Sequence, residues 1–103
     1  MKSRKEMLEE FLAADPNDSF SRYALALELE KAGQLNDAMN QLQEVIRRDE
    51  NYVAAYYHLG RMLANTNAEA QAREIYQRGL AVAAKAGDQK TRNEIQEAIA
   101  ALD

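Results

Sequence analysis

Apolar residues return at every third or fourth position along most of the chain. Leu8, Phe11 and Leu12 form one such set, Leu25 and Leu29 a second, Ala38, Leu42, Val45 and Ile46 a third, and Ile95, Ala98, Ile99 and Leu102 a last one. Residues at that spacing share one side of an α-helix, so each set reads as the buried stripe of an amphipathic helix. Short polar stretches interrupt the pattern at Asp15 to Asp18, Gly33 to Gln34, Asp49 to Asn51, Thr66 to Asn67 and Gly87. The pattern predicts helices over about 3–14, 19–32, 35–48, 52–65, 68–86 and 88–102, and it calls for no strand. Pro16 cannot continue a helix, and Asp18 or Ser19 can cap the next one. Gly33, and Asn67 in the corresponding place, suit a left-handed helix end.

A shift of thirty-four residues lays the middle of the chain on itself. Tyr23 falls on Tyr57, Leu25 on Leu59, Ala26 on Gly60, Leu29 on Leu63, Ala38 on Ala72 and Leu42 on Tyr76. A period of this size signals a stacked repeat. The matched positions are those a pair of antiparallel helices needs, with small residues at 26, 60, 38 and 72 where backbones approach closely. The same shift extends backwards, placing Leu8, Phe11 and Leu12 over Leu42, Val45 and Ile46, so the N-terminal helix reads as the second half of a truncated repeat. Residues 87–103 match no full repeat and read as a capping helix, its apolar stripe backed by Lys90, Arg92, Asn93, Glu94 and Glu97.

These residues resemble the tetratricopeptide repeat family. The second copy carries the family pattern as Tyr56, Leu59, Gly60, Leu63, Ala72, Tyr76 and Gly79. The first carries it as Leu25, Ala26, Leu29, Gly33, Ala38, Leu42 and Val45, with Asp15-Pro16-Asn17 as the inter-repeat turn. Arg22 stands at the usual tryptophan position, Glu50 at the usual proline and Ala84 at the next, which suggests that the array ends near Ala86. The resemblance implies an all-α fold, an α-α superhelix of antiparallel helix pairs in one domain over 1–103. Its parts would be an N-terminal half repeat (3–18), repeat one (19–52), repeat two (53–86) and the cap (87–103). It also implies a small stand-alone protein of bacterial type.

Composition narrows the function. The chain has 103 residues, 47% of them apolar, and no cysteine, which removes disulfides, thiolate zinc sites and a cysteine nucleophile. His58 is the one histidine, and no clustered carboxylates stand at metal-ligand spacing, so catalytic residues, metal and cofactor are all read as none. Seventeen acidic against thirteen basic residues give a net charge of −4 without a basic run, which argues against nucleic acid. No segment approaches the roughly 20 apolar residues of a membrane span or the apolar core of a signal peptide, and a cytoplasmic protein without a membrane partner is expected.

What remains is a binding surface. The resemblance implies that the first helix of each pair lines a concave face, and that one stripe of it has no packing duty within the repeat. Counted from the family pattern, the stripe is Phe20, Tyr23, Leu27 and Lys31 in the first copy, and Ala54, Tyr57, Arg61 and Asn65 in the second, with Lys90 and Asn93 as an extension on the last helix. Aromatics with an arginine make frequent anchors of protein interfaces. Family members that clamp the acidic C-termini of chaperones use lysine and asparagine where Tyr23 and Leu27 stand here. Arg61 with Lys90 or Arg92 is a candidate for holding one carboxylate. The expected partner is a protein or peptide; the alternative is a homo-oligomer formed through the aromatic face or the array ends.

Overall fold

The computed structural model describes residues 1–103 and contains six α-helices and no strand: α1 (Arg4–Ala14), α2 (Ser19–Lys31), α3 (Leu35–Arg48), α4 (Val53–Asn65), α5 (Glu69–Ala86) and α6 (Gln89–Leu102). It is an all-α helical repeat fold. The chain divides into two compact units, residues 1–49 and 50–103, each a set of three helices.

Two kinds of turn alternate for a physical reason. After α2, α4 and α5 the chain steps into the left-handed region at Gly33 (φ 81°), Asn67 (φ 64°) and Gly87 (φ 70°). In each case the following amide donates back across the turn, Gln34 to the Leu29 carbonyl, Ala68 to Leu63 and Asp88 to Ala83, all at 2.9 Å. Glycine adopts this conformation without a steric cost, and asparagine tolerates it better than most residues. After α1 and α3 the chain instead leaves through the extended residues Asp15 and Asp49.

In the first unit α2 packs on both α1 and α3. Ser3 and Asp18 accept from the amides of Glu6 and Ser21, both at 3.1 Å, and so cap α1 and α2. Ser19 is not the cap; its hydroxyl donates to Asp49 at 3.0 Å. The core is Leu8, Leu12, Ala24, Leu25, Ala26, Leu29, Ala38, Leu42, Val45 and Ile46. Arg22, where the family usually has tryptophan, ties helices together by hydrogen bonding, donating to Gln41 at 2.8 Å and to the Pro16 carbonyl at 2.9 Å. Phe11 departs from the repeat pattern: it is 55% exposed, while its counterpart Val45 is buried. α1 packs on α2 through Leu8 and Leu12, which are buried.

In the second unit α5 and α6 both pack on α4 and on each other. The core is Ala55, Tyr56, Leu59, Met62, Leu63, Ala72, Tyr76, Ala83 and Ile95. Two large rings sit over two glycines: a β-carbon at Gly60 would lie 2.3 Å from Tyr76 Cε1, and one at Gly79 would lie 2.7 Å from Tyr56 Cβ. Tyr56 donates its hydroxyl to the Glu50 carbonyl at 2.7 Å, a bond that pins the turn where the family proline is missing. α5 has 18 residues against 14 in α3. It ends in the left-handed turn at Gly87 rather than in an extended aspartate, so α6 begins thirty-six residues after α4, although α4 begins thirty-four after α2. The thirty-four-residue period therefore stops at this point.

Candidate functional site

The second unit contains an open groove of about 340 Å³ between α4 and α6. One wall is the outer stripe of α4: Tyr57, Arg61, Ala64 and Asn65. The other is Ala98, Ala101 and Leu102 of α6, and α5 contributes Glu69 and Tyr76. Alanines keep the walls shallow, so the polar groups are not covered by long apolar side chains.

Those groups cluster at the α4 side. Arg61 Nη2 lies 3.2 Å from Nδ1 of His58, one turn earlier on the same helix. The His58 ring meets Tyr57 edge-on, with centroids 5.2 Å apart. Burial raises the Tyr76 phenol above its ordinary value near 10, with a smaller upward contribution from Tyr57 and an opposing one from Arg61. Both neighbours thus bear on the Tyr76 phenol, which stays protonated at neutral pH.

Of the candidate residues from the sequence, Tyr57, Arg61 and Asn65 meet in this groove. Ala54 lies a turn earlier on α4 and is half-buried outside the groove lining. Lys90 and Asn93 are exposed on the first turns of α6, away from the lining, and Asn93 accepts from Gln89 at 2.9 Å. Lys90 and Arg92, either of which was expected to hold a carboxylate together with Arg61, do not line the groove with it. The cause is the two-residue slip of α6: Ile95 sits in the core where Leu59 sits in α4, which turns Ala98, Ala101 and Leu102 towards Arg61.

In the first unit the stripe on α2 is Phe20, 61% exposed, Tyr23 and Leu27, half-buried, and Lys31, exposed. Phe20 therefore does not pack beneath a neighbouring helix. Sequence reasoning missed Glu69, Tyr76, Ala98, Ala101 and Leu102 as groove residues. Tyr76 had been assigned to packing by its match with Leu42, and its hydroxyl was the one available signal of another role. No helix is long and apolar enough to cross a membrane.

Known proteins resemble this chain along most of its length. A family model described as tetratricopeptide repeat matches residues 2–83. TPR repeat-containing protein PA0015 of Pseudomonas aeruginosa is 31% identical over 98 residues, covering 95% of this chain and 93% of that protein. The solution structure of a tetratricopeptide repeat domain protein from Salinibacter ruber is 36% identical, covers 86% of this chain and 90% of its own, and superposes with a TM-score of 0.82. Protein BPP2914 from Bordetella parapertussis is 29% identical over 99% of this chain and 89% of its own, with a TM-score of 0.83. The TPR2B domain of yeast Sti1, solved as a complex with pHsp70, shares the fold at 19% identity, 95% and 78% coverage, and a TM-score of 0.89.

Proposed function

The chain belongs to the tetratricopeptide repeat family, and from that premise we propose that it is a non-catalytic protein- or peptide-binding module, an adaptor or scaffold of the bacterial cytoplasm. The observation that carries this reading is the groove between α4 and α6. It is concave, open, walled by small side chains and edged by Tyr57, Arg61 and Asn65, the combination of apolar surface and a few convergent polar groups that ligand sites use. In the first unit Phe20, Tyr23, Leu27 and Lys31 form a second contact surface. The Sti1 domain, solved as a complex with pHsp70, supports the reading as a case of the same fold engaged with a partner.

Capture from a cell lysate tests it, comparing the wild-type chain with Tyr57→Ala and Tyr23→Ala after circular dichroism has confirmed equal helicity. A protein held by the wild type and lost by a variant is the expected result. Identical capture by all three would remove these faces from the binding site.

Met7, Phe11 and Phe20, all large, apolar and exposed in the first unit, favour a second reading in which this unit self-associates. Sedimentation equilibrium with wild type and Phe11→Glu decides it: self-association predicts a wild-type mass that grows with concentration and a variant that stays monomeric. A monomer at every concentration for the wild type would eliminate that reading.

A further inference from the structure

The second helices of the two hairpins carry different chemistry on their outer sides. On α3, Glu44 accepts from both Arg47 and Arg48, and Arg48 also reaches Asn17 at 2.7 Å, so the chain's own charged side chains cover that face. Thirty-four residues on, the same places hold Arg78, Ala81, Val82 and Asn51. The acid has become a base, and both arginines have become small apolar residues. What stands there is an open cleft of about 310 Å³ between the turn into α4 and the outer side of α5.

Two cations border the cleft. Arg78 lies over the Tyr56 ring, 5.7 Å from its centroid, a contact that holds the guanidinium in place without neutralising its charge. Lys85 lines the other end and is exposed. Neither forms an ion pair; Glu74, one turn before Arg78, and Glu50, in the lining, engage neither of them. Along α5 the order is therefore cation, apolar pair, cation, at 78, 81, 82 and 85. These positions are i, i+3, i+4 and i+7, so they share one side of the helix over roughly 10 Å.

A second helix lying alongside advances at the same rate. From this register we infer that α5 docks a helix of another protein, one with acidic side chains seven residues apart and apolar side chains at the third and fourth positions after the first acid. Its acids meet Arg78 and Lys85, and its apolar pair enters the cleft on Ala81 and Val82. The pattern reads the same in both directions, so it selects the partner's face and not its polarity. Glu74 repels a further acid one turn beyond Arg78. A second copy of this chain does not supply the segment. On its helices only Asp37 and Glu44 stand seven apart, and the polar Asn40 and Gln41 lie between them. The cleft shares no lining residue with the α4–α6 groove, so this site goes beyond the function proposed above and stands without it.

The test uses the full chain labelled with ¹⁵N and helical peptides of alanine and glutamine built around Glu-Ala-Ala-Leu-Leu-Ala-Ala-Glu. In a second peptide glutamine replaces both glutamates. In a third the last glutamate moves two residues on, to the opposite side of the helix. The first should shift the amides of Arg78, Val82 and Lys85 and half-saturate at a concentration about fivefold below the second and about twofold below the third, the share that exposed ion pairs contribute. Molar salt should remove the difference. Lys85→Glu, at an exposed position, should keep the melting temperature, lose the preference for the first peptide and gain one for a peptide with one glutamate changed to lysine.

Equal binding of the first two peptides, shifts on Tyr57, Arg61 and Ala98 instead, no shifts at millimolar peptide, or unchanged preferences in Lys85→Glu would overturn the inference. The two sites fail separately. Shifts on α5 that persist in Tyr57→Ala support the cleft whatever the lysate capture shows, and Tyr57-dependent capture without shifts on α5 removes the cleft alone.

Discussion

The hairpins α2–α3 and α4–α5 begin thirty-four residues apart and solve one packing problem with different chemistry. In α4–α5 Tyr76 and Tyr56 lie against Gly60 and Gly79, large against small. In α2–α3 the same four places hold Ala26, Leu42, Arg22 and Val45. There neither place holds glycine, and the aromatic at the Tyr56 place is replaced by a guanidinium that bridges Gln41 and the Pro16 carbonyl. The repeat specifies where volume must fit and leaves open how it is divided. Close approach through glycine requires an exact fit and tolerates little change, whereas a half-exposed arginine bridge contributes less and can be altered at smaller cost.

Four changes test that contrast, in decreasing order of effect. Tyr56→Ala empties a buried ring site and should destabilise the chain by about 3–5 kcal/mol, while Arg22→Ala at the matching place should cost only about 1 kcal/mol. Urea unfolding monitored by circular dichroism measures both, and similar values would erase the distinction between the hairpins. Gly60→Ala drives a β-carbon into Tyr76 and should cost about 1–3 kcal/mol, less the ~1 kcal/mol that alanine gains over glycine within a helix. Adding Tyr76→Leu rebuilds the Ala26 and Leu42 pair of the first hairpin and should recover most of the loss. If the double variant is no better than the single, the two hairpins are not interchangeable at this position.

Ala72→Leu, at a fully buried position, should cost on the order of 1–3 kcal/mol through overpacking, and Ala64→Leu in the open groove wall far less. Equal costs would mean that the assignment of faces on α4 and α5 is wrong. The smallest effect is electrostatic. Hydrogen bonds from Arg47 and Arg48 hold Glu44 down to about 2 from an ordinary value near 4.5, and Ser21 lowers Asp18. Both pKa values are depressed in the fold, so their stabilisation is complete above the unfolded value and lost as pH falls through the folded one. The second unit has one comparable group, Asp88, lowered by Thr91. Carboxyl chemical shifts followed from pH 5 to pH 2 should show the first unit loosening ahead of the second, by a small margin because the groups are exposed; the reverse order would contradict the assignment.

The helices were legible in the sequence almost to the residue, because their ends are written in local chemistry: Asp18, Gly33, Asn67 and Gly87 act on their own backbone neighbours. On α4, Tyr57, Arg61 and Asn65, counted from the family pattern, fall together along one groove wall. Phe11 was not legible, because its environment depends on which helix stands beside α1, a question that periodicity along α1 does not address. The far wall of the groove was hidden for a related reason. The orientation of α6 depends on α5 running on to Ala86 and turning through Gly87, a shift of two residues that faces Ala98 and Ala101 towards α4 and leaves Lys90 and Asn93 outside.

The capping pattern carries a kinetic consequence. α1, α2 and α6 start on side chains that accept backbone amides, whereas α3, α4 and α5 start at Gln34, Tyr52 and Ala68 without one. In α3 and α5, the second helices of the two hairpins, no capping side chain accepts the first-turn amides. Each hairpin should therefore fray first from the start of its second helix, with fast amide exchange there, while the amides of the core residues Ala38 and Ala72 stay protected.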